Sequence, residues 1–278
     1  MSNKYKYKEK DYIRDILENG FVTKYVGSEL KLIAKWYKEE GMDSEKIKDE
    51  LQNFCKVHIK NYNKAIHYKI INSAVNYAKN EKNKLIHIDS VSISKLELDT
   101  IESMDISHDY QRVVFTMMVM NKLGKEFIRI RDGVPGSNEC YFGGYKNFRE
   151  LVSLANITFN KKKNSKVKNI HDLIHLLDEK GIVEIGTNGN IKLLFMYGFK
   201  TGGDFTLSVS DFQTIGFYYD YYHGENKVKE CENCGTLIKA KSNNTKYCIY
   251  CAENKERERK RDKWHEINKR NYTSEVKK

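Results

Sequence analysis

The chain has 278 residues, of which 40% are hydrophobic, and carries a net charge of +11 from 49 basic and 38 acidic residues. This length and apolar content suffice for roughly two folded domains, and no run of eighteen apolar residues occurs that could span a membrane. The first eight residues lack the apolar core of a signal peptide, so we expect a cytoplasmic protein with no membrane partner. The positive charge favours a polyanionic partner, although a lysine-rich composition typical of AT-rich genomes accounts for part of it.

Four segments near the N-terminus have apolar residues at helical spacing. These residues are Ile13, Ile16 and Leu17; Leu30, Ile33, Ala34 and Tyr37; Ile47, Leu51 and Phe54; and Ile66, Ile70, Ala74 and Tyr77. Ser28 is expected to cap the second helix, and the third is expected to begin at Asp43 or Ser44. We therefore predict a helical domain over residues 1–82, in which Lys56 and Lys60 are interpreted as part of a solvated face.

The central region begins with a short apolar segment at 85–88, predicted to be a strand. Ser94 and Glu97 then have the spacing of a capping box, which predicts a helix from residue 95 to about 104. Residues 108–123 are apolar nearly all round, as is typical of a helix buried inside a domain.

Two further helices and a hairpin complete the central region. The helices are predicted over 148–155 and 165–180, and Asn188-Gly189 between two apolar runs is the signal of a β-hairpin, with strands at 182–185 and 191–196. Three helices followed by a hairpin are the layout of a winged helix-turn-helix. Residues 83–224 are accordingly predicted to form an α+β winged-helix domain.

A lysine-rich, acid-free segment precedes the third helix of this predicted winged helix. Lysines placed there can neutralise DNA phosphates. They are Lys161, Lys162, Lys163, Lys166 and Lys168. Asn169 and His175, on the polar side of the helix, are candidates for contacts with base edges. The alternative is that this winged helix binds proteins.

Cys231 and Cys234 form one Cys-x2-Cys pair, and Cys248 and Cys251 form a second, thirteen residues later. Two such pairs can place four thiolates around one tetrahedral Zn²⁺, leaving no open coordination position, so the ion is expected to be structural. Short strands are predicted at 236–240 and 246–248. Two disulfides are the alternative, but they need an oxidising compartment, to which nothing in the chain points. The remaining cysteines, Cys55 and Cys140, are interpreted as buried thiols.

A charged helix is predicted after the last cysteine, and with the cysteines it makes up a C-terminal unit over 225–278. Its basic residues are candidates for a second DNA contact: Arg257, Arg259, Lys260, Arg261 and Lys263. Several acidic residues lie four positions in sequence from these arginines and lysines. The alternative is therefore a solvated helix stabilised by its own ion pairs.

The order of cysteine pair, hairpin, cysteine pair and basic helix resembles the treble-clef or zinc-ribbon tails of small DNA-associated proteins. Through its central module and the phrase TKYCIYCA at 245–252, the chain also resembles uncharacterised phage and mobile-element proteins. Those proteins join a helical region and a winged helix to a four-cysteine zinc tail. The predicted elements make the fold mostly α, and this resemblance implies a role in replication or transcription regulation.

No catalytic motif is recognised in the sequence. Walker, Gly-x-Ser-x-Gly and His-Glu-x-x-His patterns are absent, as is a cluster of carboxylates after a strand. The leading hypothesis is a non-enzymatic protein that binds DNA, most readily as a duplex. Two alternatives stay open: an adaptor for replication or transcription proteins, and a nuclease whose acidic ligands are dispersed in the sequence.

Overall fold

A computed structural model shows a mostly helical protein with a few small sheets. It describes residues 6–134, 140–143, 147–159, 166–186, 189–197, 204–225, 227–240, 242 and 244–275, without the side chains of 262 and 265–275. Within these residues, none of the helices combines the length and the apolar character needed to cross a bilayer.

Four helices form the N-terminal bundle: α1 (Glu9–Asn19), α2 (Val26–Glu39), α3 (Ser44–His58) and α4 (Lys64–Lys79). The predicted start of the third helix at Asp43 or Ser44 is confirmed: α3 begins at Ser44, and the side chain of Asp43 accepts hydrogen bonds from the backbone N–H groups of Glu45 and Lys46. The predicted cap by Ser28 is wrong, because α2 begins at Val26. The helix starts early because the carbonyl of Tyr25 already accepts the N–H of Ser28.

The central region contains ten further elements and one short 3-10 turn. They are β1 (Val91–Ser94), α5 (Lys95–Glu102), α6 (His108–Asp132), β2 (Tyr141–Phe142), α7 (Phe148–Leu154), α8 (Ile170–Glu179), β3 (Val183–Ile185), β4 (Ile191–Leu193), the 3-10 turn Leu194–Met196, β5 (Phe205–Val209) and α9 (Ile215–Tyr222). The capping box at Ser94 is confirmed. The strand predicted at 85–88 is wrong: Leu85, Ile86 and Ile88 are buried, but the strand lies at Val91–Ser94, where β5 supplies a partner.

The helices and hairpin predicted for the winged-helix region differ from the observed elements mainly at their ends. Helix α6 continues to Asp132, and the last strand of the hairpin ends at Leu193. Helix α8 begins at Ile170 because the side chain of Asn169 caps it. Asn188 lies outside the described residues. Gly189 after it has φ +70°, a conformation that favours glycine.

Three antiparallel sheets connect these elements. Strand β1 pairs with β5, and β4 lies between β2 and β3 in a three-stranded sheet. The third sheet joins β6 (Val228–Glu230) to β7 (Leu237–Lys239). Strand β2 has only two residues and had no signal in the sequence, yet it completes the sheet that contains the predicted hairpin.

Two large hydrophobic cores are present. One lies in the N-terminal bundle, between Tyr12 and Leu85 in sequence. The other includes residues from Ile88 to Leu237, and its last two members, Val228 and Leu237, belong to β6 and β7. The predicted domain limits at 82/83 and 224/225 stay predictions. The β6–β7 hairpin nevertheless shares the core of the central region.

A buried ion pair joins α6 to α9. Arg112 Nη1 lies 2.9 Å and 3.1 Å from the two carboxylate oxygens of Asp220, and both side chains are less than a tenth exposed. The same guanidinium donates through Nε to the carbonyl of Ala155, at 2.8 Å, and through Nη2 to that of Asn156. One side chain therefore links α6, the end of α7 and α9.

We expect Asp220→Ala to lower the free energy of unfolding by about 3–5 kcal/mol, because it leaves the Arg112 charge buried without its partner. Asp109 also contacts Arg112, at 2.8 Å, but is 62% exposed, so Asp109→Ala is a matched control with a loss below about 1 kcal/mol. Urea denaturation followed by circular dichroism measures both. The double variant Arg112→Met, Asp220→Leu should lose less than Asp220→Ala; an equal loss would contradict this account.

Candidate metal centre

The first cysteine pair lies in the turn between β6 and β7. Gly235 follows Cys234 with φ +71°, which a residue with a side chain rarely adopts, and its N–H donates to the carbonyl of Cys231. The strand predicted at 246–248 is wrong: β7 pairs with β6 instead. The first two thiols are therefore held by a hairpin that is anchored in the central core.

The second cysteine pair lies at the start of α10 (Ile249–Glu275). Cys248 directly precedes the helix and Cys251 is in its first turn. The N–H of Glu232 donates to the carbonyl of Lys246, at 3.0 Å, and the N–H of Cys248 donates to Sγ of Cys231, at 3.3 Å. These hydrogen bonds bring the hairpin turn and the helix start together.

The four sulfur atoms have the spacing of a metal site. All lie within 4.8 Å of one another, and Cys234 Sγ is 3.8 Å from Cys248 Sγ. Sulfurs bound tetrahedrally at about 2.3 Å from one ion are about 3.8 Å apart, whereas a disulfide requires about 2.0 Å. The four cysteines can therefore hold a metal ion, and the geometry disfavours disulfides.

The environment of the four cysteines affects how readily each one ionises. Burial opposes the Cys231 thiolate, but N–H groups of Cys248, Asn233 and Cys234 outweigh it and lower the pKa of Cys231 to about 6. Burial raises the pKa of Cys248 and of Cys251; hydrogen bonds with Cys251 oppose this effect at Cys248, whereas hydrogen bonds with the other cysteines add to it at Cys251. A bound cation reverses this effect because it stabilises every thiolate at once.

Helix α10 is largely self-paired where its side chains are described. Lys255 Nζ lies 4.2 Å from the ring centroid of Tyr247 and donates to its hydroxyl. This contact holds the first turns of α10 against the segment that precedes Cys248. Glu256 accepts from Arg259, at 2.9 Å, and lies 3.6 Å from Lys260. Arg257, likewise, is 3.7 Å from Glu253. Arg257, Arg259 and Lys260 are each more than 70% exposed, and Arg261 and Lys263 are exposed as well.

The other predicted DNA-contacting residues that the structure describes lie just before α8 or on it. Lys161, Lys162 and Lys163 lie outside the described residues, whereas Lys166 and Lys168 are exposed just before the helix. The amide of Asn169 is used as the helix cap: Oδ1 accepts from the N–H groups of His171 and Asp172. His175 is 70% exposed and 3.8 Å from Glu179. Its neighbour one turn earlier, His171, is also exposed and was missed by sequence reasoning, although the spacing of four was visible.

The structure also brings together histidines that sequence spacing does not connect. His108 Nε2 lies 3.1 Å from Asp220, and His223 Nε2 lies 3.6 Å from Glu102. The two imidazole rings are 5.2 Å apart, and burial lowers the pKa of His223. More than a hundred residues separate His108 from Asp220, so no local pattern could have revealed this cluster.

Among the residues that the structure describes, the four cysteines are the one group of His, Cys, Asp and Glu side chains placed to share a metal ion. Comparison of the chain with known protein families, curated protein sequences and solved structures finds no match. The geometry described above is therefore the basis for the functional proposal.

We expect protein purified under reducing, chelator-free conditions to contain one divalent metal ion per chain, measured by elemental analysis. Cys248→Ser removes one of four ligands and should abolish stoichiometric binding, whereas Cys140→Ser, a matched change at a buried cysteine outside the cluster, should retain it. Because metal binding supplies folding free energy, the first variant should also expose the remaining thiols to a thiol reagent. Wild-type protein without metal would contradict the assignment.

Proposed function

We propose that this protein binds duplex DNA through a winged helix-turn-helix made of α6, α7, α8 and the β2-β4-β3 sheet. The observation that carries the proposal is topological. Helix, strand, helix, helix, strand, strand follow in chain order, and β4 pairs with both the early strand and its hairpin partner. This order is the one expected of a winged helix, and in our proposal α8 is the recognition helix and the β3–β4 hairpin is the wing.

The charges around α8 support a contact between its N-terminal end and duplex DNA. Lys166 and Lys168 are exposed there, followed by His171 and His175 along the first turns. Recognition helices contact base edges chiefly with their N-terminal residues. Lysines at this end would neutralise phosphates and release counterions, while the histidines would face the groove.

Zinc is the metal that we propose for the four cysteines, because a closed tetrahedral site with four thiolates is typical of structural Zn²⁺. One pair in a hairpin turn and one at a helix start is also the arrangement of a treble clef, which supports the resemblance to the tails of DNA-associated proteins. Such a zinc site performs no chemistry. Its role here is to fix the hairpin and to direct α10, whose exposed arginines and lysines make the second DNA contact.

The resemblance to phage and mobile-element proteins supports a role in replication or in the regulation of transcription. Both roles require binding to duplex DNA, and both bring the protein next to other replication or transcription proteins. The proposal therefore includes such proteins as further partners.

An adaptor that binds proteins is the second candidate, and the charge balance near α8 favours it. The segment from residue 166 to residue 186 contains three lysines and four acidic residues. The acidic residues are Asp172, Asp178, Glu179 and Glu184. A duplex-binding surface with this balance depends on Lys161, Lys162 and Lys163, so replacing the lysines separates the two candidates.

We expect the variant with alanine at Lys161, Lys162, Lys163, Lys166 and Lys168 to bind duplex DNA more weakly. The slope of log affinity against log salt should fall by about 0.9 for each phosphate that the variant no longer neutralises. Fluorescence anisotropy with a labelled random duplex measures both quantities. The control variant carries alanine at five exposed lysines elsewhere: Lys46, Lys82, Lys95, Lys227 and Lys239. Equal affinity of the two variants would favour the adaptor.

Truncation after Ala252 removes all but the start of α10 and keeps the four cysteines. We expect metal content and the thermal melt of the central region to be retained, while duplex affinity falls several-fold at low salt and little at high salt. A full-length variant with glutamine at Arg257, Arg259, Lys260, Arg261 and Lys263 should behave like the truncation, because the charges and not the length make the contact. Unchanged affinity at low salt would show that α10 takes no part.

A further inference from the structure

The thirty residues from Leu51 to Asn80 contain no acidic residue. They carry five lysines and two histidines: Lys56, Lys60, Lys64, Lys69 and Lys79, with His58 and His67. All 38 acidic residues lie in the other 248 positions, a density at which thirty residues would hold four or five. This acid-free surface covers the end of α3, the connection to α4 and all of α4.

Three of the lysines, Lys56, Lys60 and Lys64, lie at one end of the bundle, whereas Lys69 and Lys79 lie farther along α4. Lys56 is in the last turn of α3 and Lys64 is the first residue of α4, with a five-residue connection between the helices. All five lysines are exposed. The first turn of α4 has no acidic residue to compensate the positive end of its helix dipole. The end of the bundle therefore presents a positive potential that attracts phosphates.

Exposed tyrosines accompany this charge. Tyr25, Tyr68 and Tyr77 are 60%, 49% and 37% exposed. Each has a lysine amine over its ring: Lys24 at 5.5 Å, Lys48 at 5.0 Å and Lys31 at 5.1 Å from the respective centroids. An exposed ring with a cation on one side offers its other side for stacking, and the cation lies close enough to meet the phosphate of a stacked nucleotide.

Two of these tyrosines line the same depression. Tyr25 and Tyr77 border a cavity of about 270 Å³ together with Lys31, and most of its lining comes from α1 and α2. The carboxylate of Glu29 in its wall is already satisfied by the hydroxyl of Tyr12 and the N–H groups of Val22 and Thr23. Glu9, the other carboxylate in the lining, contacts Lys35, and the cavity has the scale of a small ligand group such as a single base.

We propose that the acid-free surface, with Tyr25 beside it, binds single-stranded nucleic acid. Its lysines would contact phosphates, and Tyr25, Tyr68 and Tyr77 would stack on unpaired bases. A duplex keeps its bases stacked inside and cannot use exposed tyrosine rings. Exposed Val57 and Ile66, at 76% and 72%, add apolar contact area for unpaired bases.

The residues in the middle of the exposed face of α4 favour a nucleic acid over a membrane as the partner of this surface. A helix that lies in a lipid interface has a continuous apolar face. Here Lys69, Ser73 and Asn76 occupy the centre of the face, since the buried residues Ile71, Ala74, Val75 and Ala78 point the opposite way. Hydroxyl and amide groups at these positions suit the hydrogen-bonding edges of bases.

This site is separate from the proposed duplex site, because it belongs to the N-terminal core and the winged-helix elements belong to the central core. It does not rest on the proposed function. Either site can therefore be lost without the other.

The test is fluorescence anisotropy of full-length protein with a labelled 20-nucleotide oligothymidylate. Alanine at Lys56, Lys60, Lys64, Lys69 and Lys79 should lower the affinity at least tenfold, and the salt slope by about 0.7 for each phosphate left without a lysine. The five-lysine control variant defined above should stay within about twofold of wild type. Equal losses in the two variants would overturn the proposal.

Two further measurements test whether the tyrosines stack on bases and whether the single-strand site lies on the acid-free surface. Tyr68→Leu and Tyr77→Leu should each weaken oligothymidylate binding by about fivefold or more, whereas Tyr→Phe at either position keeps a stacking ring and should retain it. Equal affinity of the Leu and Phe variants would overturn the stacking role.

The winged-helix variant with five alanines at 161–163, 166 and 168 should retain oligothymidylate binding. Binding lost only in that variant would place the single-strand site in the central region and overturn the proposal.

Vesicles of phosphatidylserine and phosphatidylcholine provide the final comparison. The proposal expects no sedimentation of the protein with them under conditions in which oligothymidylate binds. Binding to vesicles that is lost in the acid-free-surface variant, with no binding of oligothymidylate, would assign the surface to lipid and overturn the proposal. Thermal melts of all variants by circular dichroism confirm that each remains folded.

Discussion

The buried guanidinium of Arg112 is the constraint on which the central region depends. A buried charge is tolerated only where its hydrogen-bonding groups are satisfied, and Arg112 meets this requirement with groups from three elements: Asp109 on its own helix, the turn after α7, and Asp220 on α9. The turn includes Asn156, whose φ of +48° is unusual for a residue other than glycine. Satisfying one side chain thus fixes the relative positions of α6, α7 and α9, and with α9 the hairpin that carries the first two cysteines.

Much of the fold could be predicted because its signals are local. Apolar spacing predicted the four N-terminal helices, the spacing of Ser94 and Glu97 predicted a capped helix, and two Cys-x2-Cys pairs predicted the metal cluster. The errors arose where tertiary contacts decide. Strand β2 has two residues and exists because β4 offers an edge, and β7 pairs with β6 although residues 246–248 are equally near in sequence.

The proposed functional surfaces also differ in how far the sequence could predict them. The cysteines were found because a shared ion imposes a spacing, whereas phosphate contacts impose none, so lysines were selected by density alone. That criterion drew attention to the segment before α8 and led us to interpret the lysines of the α3–α4 end as a solvated face. The more informative quantity there is the absence of acidic residues over thirty positions, together with exposed tyrosines that become recognisable only when their accessibility and their lysine neighbours are seen.

Anchoring of the β6–β7 hairpin in the central core has a mechanical consequence for α10. A helix of 27 residues is about 40 Å long, so it acts as a lever whose angle is set where its first turn meets the hairpin. A rotation of about 10° at that junction moves the far end by roughly 7 Å, about twice the axial spacing of successive phosphates on one strand of duplex DNA. A metal ion held by the four cysteines would fix this junction, so its removal would widen the range of positions open to the far end of α10.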